Sequence, residues 1–379
     1  MIPFNIPPYL QECSQTIEEA IALRKICGDG EMTKRCSEVL EDITGASKVL
    51  LTTSGTSALE LAALLLDIKE GDEVIMPSYT FVSTANAFAL RGAKIIFVDV
   101  QKETMNIDPV CIERAITEKT KVIVVVHYAG VCCDMERINA IAKKNGLYVV
   151  EDAAQAVTST YKGKQAGCLC DIGCFSFHET KNFSMGEGGA IVLNDERLVE
   201  RAEIMREKGT NRSRFFRGQV DKYTWVDMGS SFLPSELNAA YLLPQLKAHK
   251  QITAQRMMIW ESYDKGLKPL ADDGLIECMH IPTDCGHNAH MYYIKLKNLK
   301  QRTEMIAHLK ENGVLSVFHY IPLHTAPAGL KYSQFVGEDI YTTADSERIL
   351  RLPLYFEMTE EQANMVIKAV YAFFEKASK

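Results

Sequence analysis

Five stretches of this 379-residue chain hold side chains with chemistry to offer, and each lies at or beside an apolar run. Thr53-Ser54-Gly55-Thr56-Ser57 offers hydroxyls and bare backbone N–H groups to a phosphate at a helix start. Pro77-Ser78-Tyr79-Thr80-Phe81 offers aromatic rings as a platform for a flat ligand. Glu151-Asp152-Ala153-Ala154-Gln155 ends the run Tyr148-Val149-Val150, and a carboxylate there is costly unless a donor or cation meets it. Lys181 sits between the aromatic strand Cys174–Phe177 and the turn Gly186-Glu187-Gly188-Gly189. Burial there would lower its pKa and make it an amine nucleophile or base. His319 and His324, in Phe318-His319-Tyr320-Ile321-Pro322-Leu323-His324, offer bases or ligands. Taken singly, each has a plainer reading: a helix cap, a core ring, a capping acid, a solvated lysine, packed histidines.

Together they describe one kit. A phosphate cradle, a ring platform, a strand-end acid and a buried lysine are what pyridoxal phosphate needs. Competing chemistries lack their signatures. No GxGxxG or Walker spacing follows the first strand, which argues against a nicotinamide oxidoreductase. Cys168, Cys170 and Cys174 have no second half-site, so no metal is expected. A binding protein without turnover is the third reading, and the intact Lys181 and Asp152 argue against it.

The elements that must position this kit read as α/β. Val49–Leu51, Glu73–Met76, Lys94–Val98, Val122–His127, Leu147–Glu151 and Ala190–Leu193 are predicted strands. Ser57–Leu66, Thr80–Arg91, Val110–Thr117 and Asp134–Asn145 are predicted helices between them. Apolar strands each followed by a helix predict a mostly parallel sheet covered on both faces, with ligands at the carboxyl ends of the strands. Leu237–Met258 reads as a long helix that Pro244 kinks or divides. A boundary is placed there: residues 1–245 form a large α/β domain and 246–379 a smaller α+β domain. In the latter, Met291–Leu296, Gln301–Asn312, Leu315–His319 and Glu360–Glu375 are strand, helix, strand and helix.

Composition narrows the partners. With 42 basic against 49 acidic residues, the net charge of −7 gives no field for nucleic acid. No apolar run reaches the ~18 residues of a membrane span, and no basic residue precedes Arg24 as a signal peptide would require. Eleven unpatterned cysteines point to reduced thiols and a cytoplasmic location.

The combination Phe175-Ser176-Phe177-x₃-Lys181-Asn182-x₃-Gly186-Glu187-Gly188-Gly189, with Ser54-Gly55-Thr56-Ser57-Ala58 and Glu151-Asp152-Ala153-Ala154-Gln155, resembles the sugar aminotransferases of the DegT/DnrJ/EryC1 group. The likeness spans essentially the whole chain. It implies a fold-type-I pyridoxal-phosphate aminotransferase working as a homodimer with its active sites at the subunit interface. It implies that Lys181 carries the cofactor and moves protons, that Asp152 pairs with the ring nitrogen, and that Gln155 lies near the ring hydroxyl. Phe81 matches the ring-stacking position, and Gly55, Thr56 and Ser176 match phosphate positions. Ser231, in Gly229-Ser230-Ser231-Phe232-Leu233-Pro234, stands where the family has an Asn that reaches the partner subunit's phosphate; a hydroxyl reaches less far.

The implied substrates are L-glutamate and a nucleotide sugar, dTDP-4-keto-6-deoxy-D-glucose, aminated at carbon 4. Another keto position or another nucleotide sugar is the nearest rival. Lys at position 181, where dehydrating relatives carry His, favours transamination. Cations for the diphosphate or the glutamate carboxylate are expected from Arg212, Arg214 and Arg217, a ring for thymine from Tyr223, and sugar contacts from His319 and His324.

Overall fold

The computed structural model describes residues 1–377. Its central sheet has eight strands in the order Lys48–Thr52, Gly189–Leu193, Ile172–Ser176, Tyr148–Asp152, Thr120–Val126, Glu73–Pro77, Lys94–Val98, Ser333–Phe335. Gly189–Leu193 runs antiparallel to both its neighbours, and the remaining pairings are parallel. The result is the large, mostly parallel sheet with flanking helices that characterises fold type I.

Period two explains the coverage. Val74, Met76, Ile95, Phe97, Val122 and Val124 point to one face, where helices Gly55–Leu65, Val82–Ala89 and Val199–Arg206 pack. Ile75, Ile96, Val98, Ile123 and Val125 point to the other, against Pro109–Ala115 and Met135–Asn145. Helix Gly55–Leu65 buries Ala58, Leu59, Leu61, Ala62, Ala63 and Leu65, as its all-round apolar sequence demands.

The C-terminal region adds a four-stranded antiparallel sheet in the order Glu277–Cys278, Tyr292–Lys295, Ile349–Leu352, Val317–Phe318. Helices His249–Asp272, Leu299–Glu311 and Glu360–Ala377 accompany it. The predicted long helix is two helices, but the break falls at Ala248, after Glu236–Lys247 has run through Pro244. Proline there forfeits only its own amide's bond to Ala240, which one turn of buried helix tolerates.

Two segments cross the residue-245 division expected from the sequence. Ser333–Phe335 leaves the C-terminal region to become the edge strand beside Lys94–Val98, and the N-terminal Ile2 bridges to Val314. C-terminal chain also reaches the carboxyl ends of the large sheet, beside Ser78 at the end of strand Glu73–Pro77. The Leu323 N–H donates to the Ser78 carbonyl there at 3.0 Å.

Candidate active site

A cavity of about 640 Å³ opens at those carboxyl ends. One wall is the start of helix Gly55–Leu65. Ser54 is its extended N-cap and its Oγ accepts from the Ser57 N–H at 2.9 Å, while Thr56 Oγ1 lies 2.7 Å from Ser83 Oγ. The amides of Gly55 and Thr56 belong to the first turn and have no intrahelical acceptor. A Cβ on Gly55 would come within 2.8 Å of Ser176 Cβ, so only glycine lets the helix start abut the strand end. Backbone donors, hydroxyls and Ser176 thus form a cradle suited to a phosphate.

Asp152 ends its strand on the cavity floor, 6% exposed. Thr84 Oγ1 donates to its Oδ2 at 2.7 Å and the Ala154 N–H to its Oδ1 at 3.2 Å. Burial raises its pKa, against the pull of those donors and of Lys181. A carboxylate so placed is best satisfied by a cationic ligand atom. Its neighbour Glu151 faces away and is fully satisfied: His127 Nε2 at 2.8 Å, then the amides of Gly167, Leu169 and Cys170. Cys133 N–H donates to His127 Nδ1, so Nε2 carries that ring's proton.

Lys181 lies on the turn between strands Ile172–Ser176 and Gly189–Leu193. The Phe177 amide donates to the Gly188 carbonyl and the Met185 amide to the Phe177 carbonyl, which fixes the turn's base. Asn182 secures it further, donating to the Asn288 carbonyl at 2.9 Å and accepting from His290 Nδ1 at 2.9 Å. The Lys181 amine makes no hydrogen bond or ion pair among the described residues. Burial lowers its pKa to about 8, Asp152 opposes the fall, and the charge of Arg351 adds to it. An amine so placed has the chemistry of a nucleophile and of a proton carrier.

Gln155 accepts from the Ala129 N–H at 2.7 Å and donates to the Tyr320 hydroxyl at 3.1 Å. Phe81, 56% exposed, stands at the rim with its ring 6.3 Å from that of Tyr320. His319 stacks on Tyr320 at 3.3 Å and lies 3.2 Å from the Tyr128 hydroxyl. Burial holds its pKa well below the ordinary histidine value.

Of the residues singled out from sequence, Gly55, Thr56, Phe81, Asp152, Gln155, Ser176, Lys181 and His319 line this cavity. The others do not. His324 is tied between Ser78 Oγ (2.7 Å) and Asp339 (3.2 Å), so it clips a loop down rather than facing the cavity. Arg212, Arg214 and Arg217 pair with Glu207, Glu200 and Glu203, carboxylates of or beside the preceding helix, which answers their charge locally. Tyr223 packs on Phe215, and Ser231 is an exposed residue bridged to Glu207. Thr84, Tyr320, Arg351 and Phe4 were not singled out in the sequence, although Tyr320 lies between the two histidines and Thr84 one turn after Phe81.

A phosphate cradle, an acid for a ring nitrogen, an aromatic at the rim and a buried lysine of lowered pKa fit pyridoxal 5′-phosphate. Relatives agree in kind. The chain is 33% identical over 381 residues to the spore coat polysaccharide biosynthesis protein SpsC of Bacillus subtilis, covering 97% of this chain and 96% of that one. Its fold superposes on the aminotransferase TlmJ of Streptoalloteichus hindustanus with a TM-score of 0.91, 28% identity and 100% coverage of both. Spr1654 of Streptococcus pneumoniae, known in a PLP form and a PMP form, matches with TM-scores of 0.88 and 0.89 at 27% and 28% identity, covering 99% of this chain and 99% and 100% of those. The model of the DegT/DnrJ/EryC1/StrS aminotransferase family matches residues 10–371, and with the lysine and its acid in one cavity the chain belongs to that family.

Proposed function

We propose that this chain is a nucleotide-sugar aminotransferase that moves the amino group of L-glutamate to carbon 4 of dTDP-4-keto-6-deoxy-D-glucose. The products are dTDP-4-amino-4,6-dideoxy-D-galactose and 2-oxoglutarate. The observation that carries the reading is Lys181, a lysine with a pKa of about 8 in a cavity that also holds Asp152 and the Gly55 cradle. The finer choice of sugar rests on sequence. The runs Pro77–Ala87, Glu207–Arg212 and Phe318–His324 resemble those of dTDP-4-amino-4,6-dideoxygalactose transaminases.

Pyridoxal phosphate supplies an electron sink that stabilises a carbanion next to the transferred nitrogen. The chain's residues do the rest. Gly55, Thr56 and Ser176 would hold its phosphate, Asp152 would keep its ring nitrogen protonated, Phe81 would cover a ring face and Gln155 would sit by the ring hydroxyl. Lys181 would hold it through its amine, and the same amine would carry a proton to and from the substrate carbon. A pKa of about 8 lets that amine act as base and acid in turn near neutral pH.

In this reading the protein is a cytoplasmic homodimer, its eleven cysteines free. Exposed Phe216, Trp225, Val226 and Met228 would lie at the subunit contact and bring Arg212, Tyr223 and Ser231 toward the partner's site. The test is the visible absorbance of protein loaded with pyridoxal phosphate, followed through additions of L-glutamate and then the nucleotide sugar. Bleaching by glutamate and recovery with the sugar supports the reading, and NMR of the product locates the amine. Bleaching without recovery rejects this sugar. Absence of any response to glutamate rejects glutamate as the donor.

A further inference from the structure

Residues 288–290 brace the site from the C-terminal region, and their backbone leaves its ordinary range to do so. Ala289 has a φ of +49°, in the left-handed region that a residue with a Cβ rarely adopts. Such a conformation persists only where its surroundings fix it. Here they do. Arg256, itself buried, donates to the carbonyls of Ala289 and His290 at 3.1 and 2.8 Å. The His290 amide donates to Asn288 Oδ1 at 3.1 Å and closes the bend.

Both flanking side chains leave the bend toward the site. Asn288 Nδ2 donates to the carbonyls of Gln155 (3.0 Å) and Val157 (2.8 Å), on the segment that follows Asp152. His290 Nδ1 meets Asn182 Oδ1 at 2.9 Å, on the residue next to Lys181. The direction of this bond is fixed by its neighbour. Asn182 Nδ2 donates to the Asn288 carbonyl, which can only accept, so the amide oxygen faces His290 and Nδ1 carries the proton. Burial, followed by the charges of Lys181 and Arg351, holds the His290 pKa well below the ordinary histidine value, so the ring stays neutral. Asn182, Asn288 and His290 are each 5% exposed or less.

The Lys181 amine has no hydrogen-bond partner among the described residues, so the backbone that carries it decides where it stands. That backbone is tied through Asn182 to the same bend that holds Gln155. One short stretch thereby sets the spacing between the lysine turn and the segment that follows the acid.

We propose that His290 is a positioning residue for Lys181: its Nδ1–H holds Asn182 and, through Asn182, sets where the lysine amine stands relative to Asp152. The proposal rests on the reading of Lys181 as the aminotransferase lysine. It divides the labour of the site. Binding in the Gly55 cradle and against Asp152 does not need His290. Condensation of the lysine amine with the cofactor's aldehyde, which forms a carbon–nitrogen double bond and releases water, does.

The test uses full-length protein freed of cofactor, with pyridoxal phosphate and pyridoxamine phosphate as probes. Pyridoxamine phosphate has no aldehyde, so its affinity by calorimetry reads the cradle and the acid. The rate at which the visible band appears with pyridoxal phosphate reads the amine. His290→Leu is expected to slow the band at least about tenfold while changing pyridoxamine phosphate affinity less than about threefold. His290→Asn sets an amide N–H where the Nδ1–H stood, and is expected to recover the rate to within about threefold of wild type. An unchanged rate in His290→Leu overturns the proposal. So does an equal loss of rate and of pyridoxamine phosphate affinity, which assigns His290 to packing alone, and so does a His290→Asn protein as slow as His290→Leu. Should His290→Leu not fold, Asn182→Ala breaks the same bond from the other side, with the same split expected and its absence overturning the proposal. A His290-dependent rate in a protein that transfers no amine would sink the aminotransferase reading and leave the positioning role standing.

Discussion

The state of Lys181 can be tested without any substrate. Burial takes its pKa from 10.5 in the unfolded chain to about 8 in the fold. Each factor of ten in proton affinity is worth about 1.4 kcal/mol, so below both values the folded protein carries a penalty of about 3 kcal/mol for this charged amine. The sign follows from proton counts. Between the two values the unfolded chain holds more protons than the fold, so stability rises with pH across that window. By about pH 9.5 some 2 kcal/mol of the penalty present at about pH 7 is gone.

The perturbation is Lys181→Met in cofactor-free protein, a change that keeps most of the volume and removes the amine. The stability difference between wild type and variant, from urea unfolding at the two pH values, should shift by about 2 kcal/mol in favour of wild type as pH rises. Groups that titrate alike in both proteins, such as the buried tyrosines, cancel. Taking the amine away from Asp152 adds an offset and not this slope. A difference that does not move with pH, or moves the other way, would refute a desolvated amine at this position.

Three further substitutions probe the neighbourhood. Asp152→Asn should cut turnover at least about a hundredfold, and it should lower the pKa of the cofactor-free Lys181 amine further, measured by its pH-dependent acylation, because Asp152 is what opposes the fall. Gly55→Ala pushes a methyl to 2.8 Å from Ser176 Cβ and should weaken pyridoxal phosphate binding about tenfold by calorimetry and lower Tm as the helix start moves off the strand end. Glu151→Gln sets an amide against three backbone N–H donors and His127, and should cost about 3 kcal/mol in urea unfolding and lower Tm by several degrees.

Legibility in the sequence followed locality. Val49–Leu51 and Lys94–Val98 announce strands because a short β-branched run between turns has few other fates, and each strand's chemistry lies within a few residues of its end. Lys181 could be read because its strand, its turn and its returning strand occupy one continuous stretch, and Asp152 because it closes its own strand. Arg351 could not, since its place in the cavity wall depends on strand pairing with Tyr293 and Val317 and on Phe4, nearly the whole chain away. Ser333–Phe335 is three residues whose strand character comes from the waiting edge of Lys94–Val98. The ion pairs of the arginines are hidden for the same reason: Arg217 looks like a spare cation until the helix Val199–Arg206 brings Glu203 to 2.9 Å.

The division has a chemical consequence. Groups that any aminotransferase of this kind needs sit on the large sheet, where local pattern places them. The rest of the cavity wall, with Phe4, Phe318, His319, Tyr320 and Arg351, comes from the N-terminus and the C-terminal region, which meet the site only through tertiary contact. A substitution at Phe4 or Arg351 can therefore reshape that wall while leaving Asp152, Lys181 and the Gly55 cradle untouched. Relatives that keep the large-sheet residues but differ at those two positions are expected to share the reaction and differ in the substrates they accept.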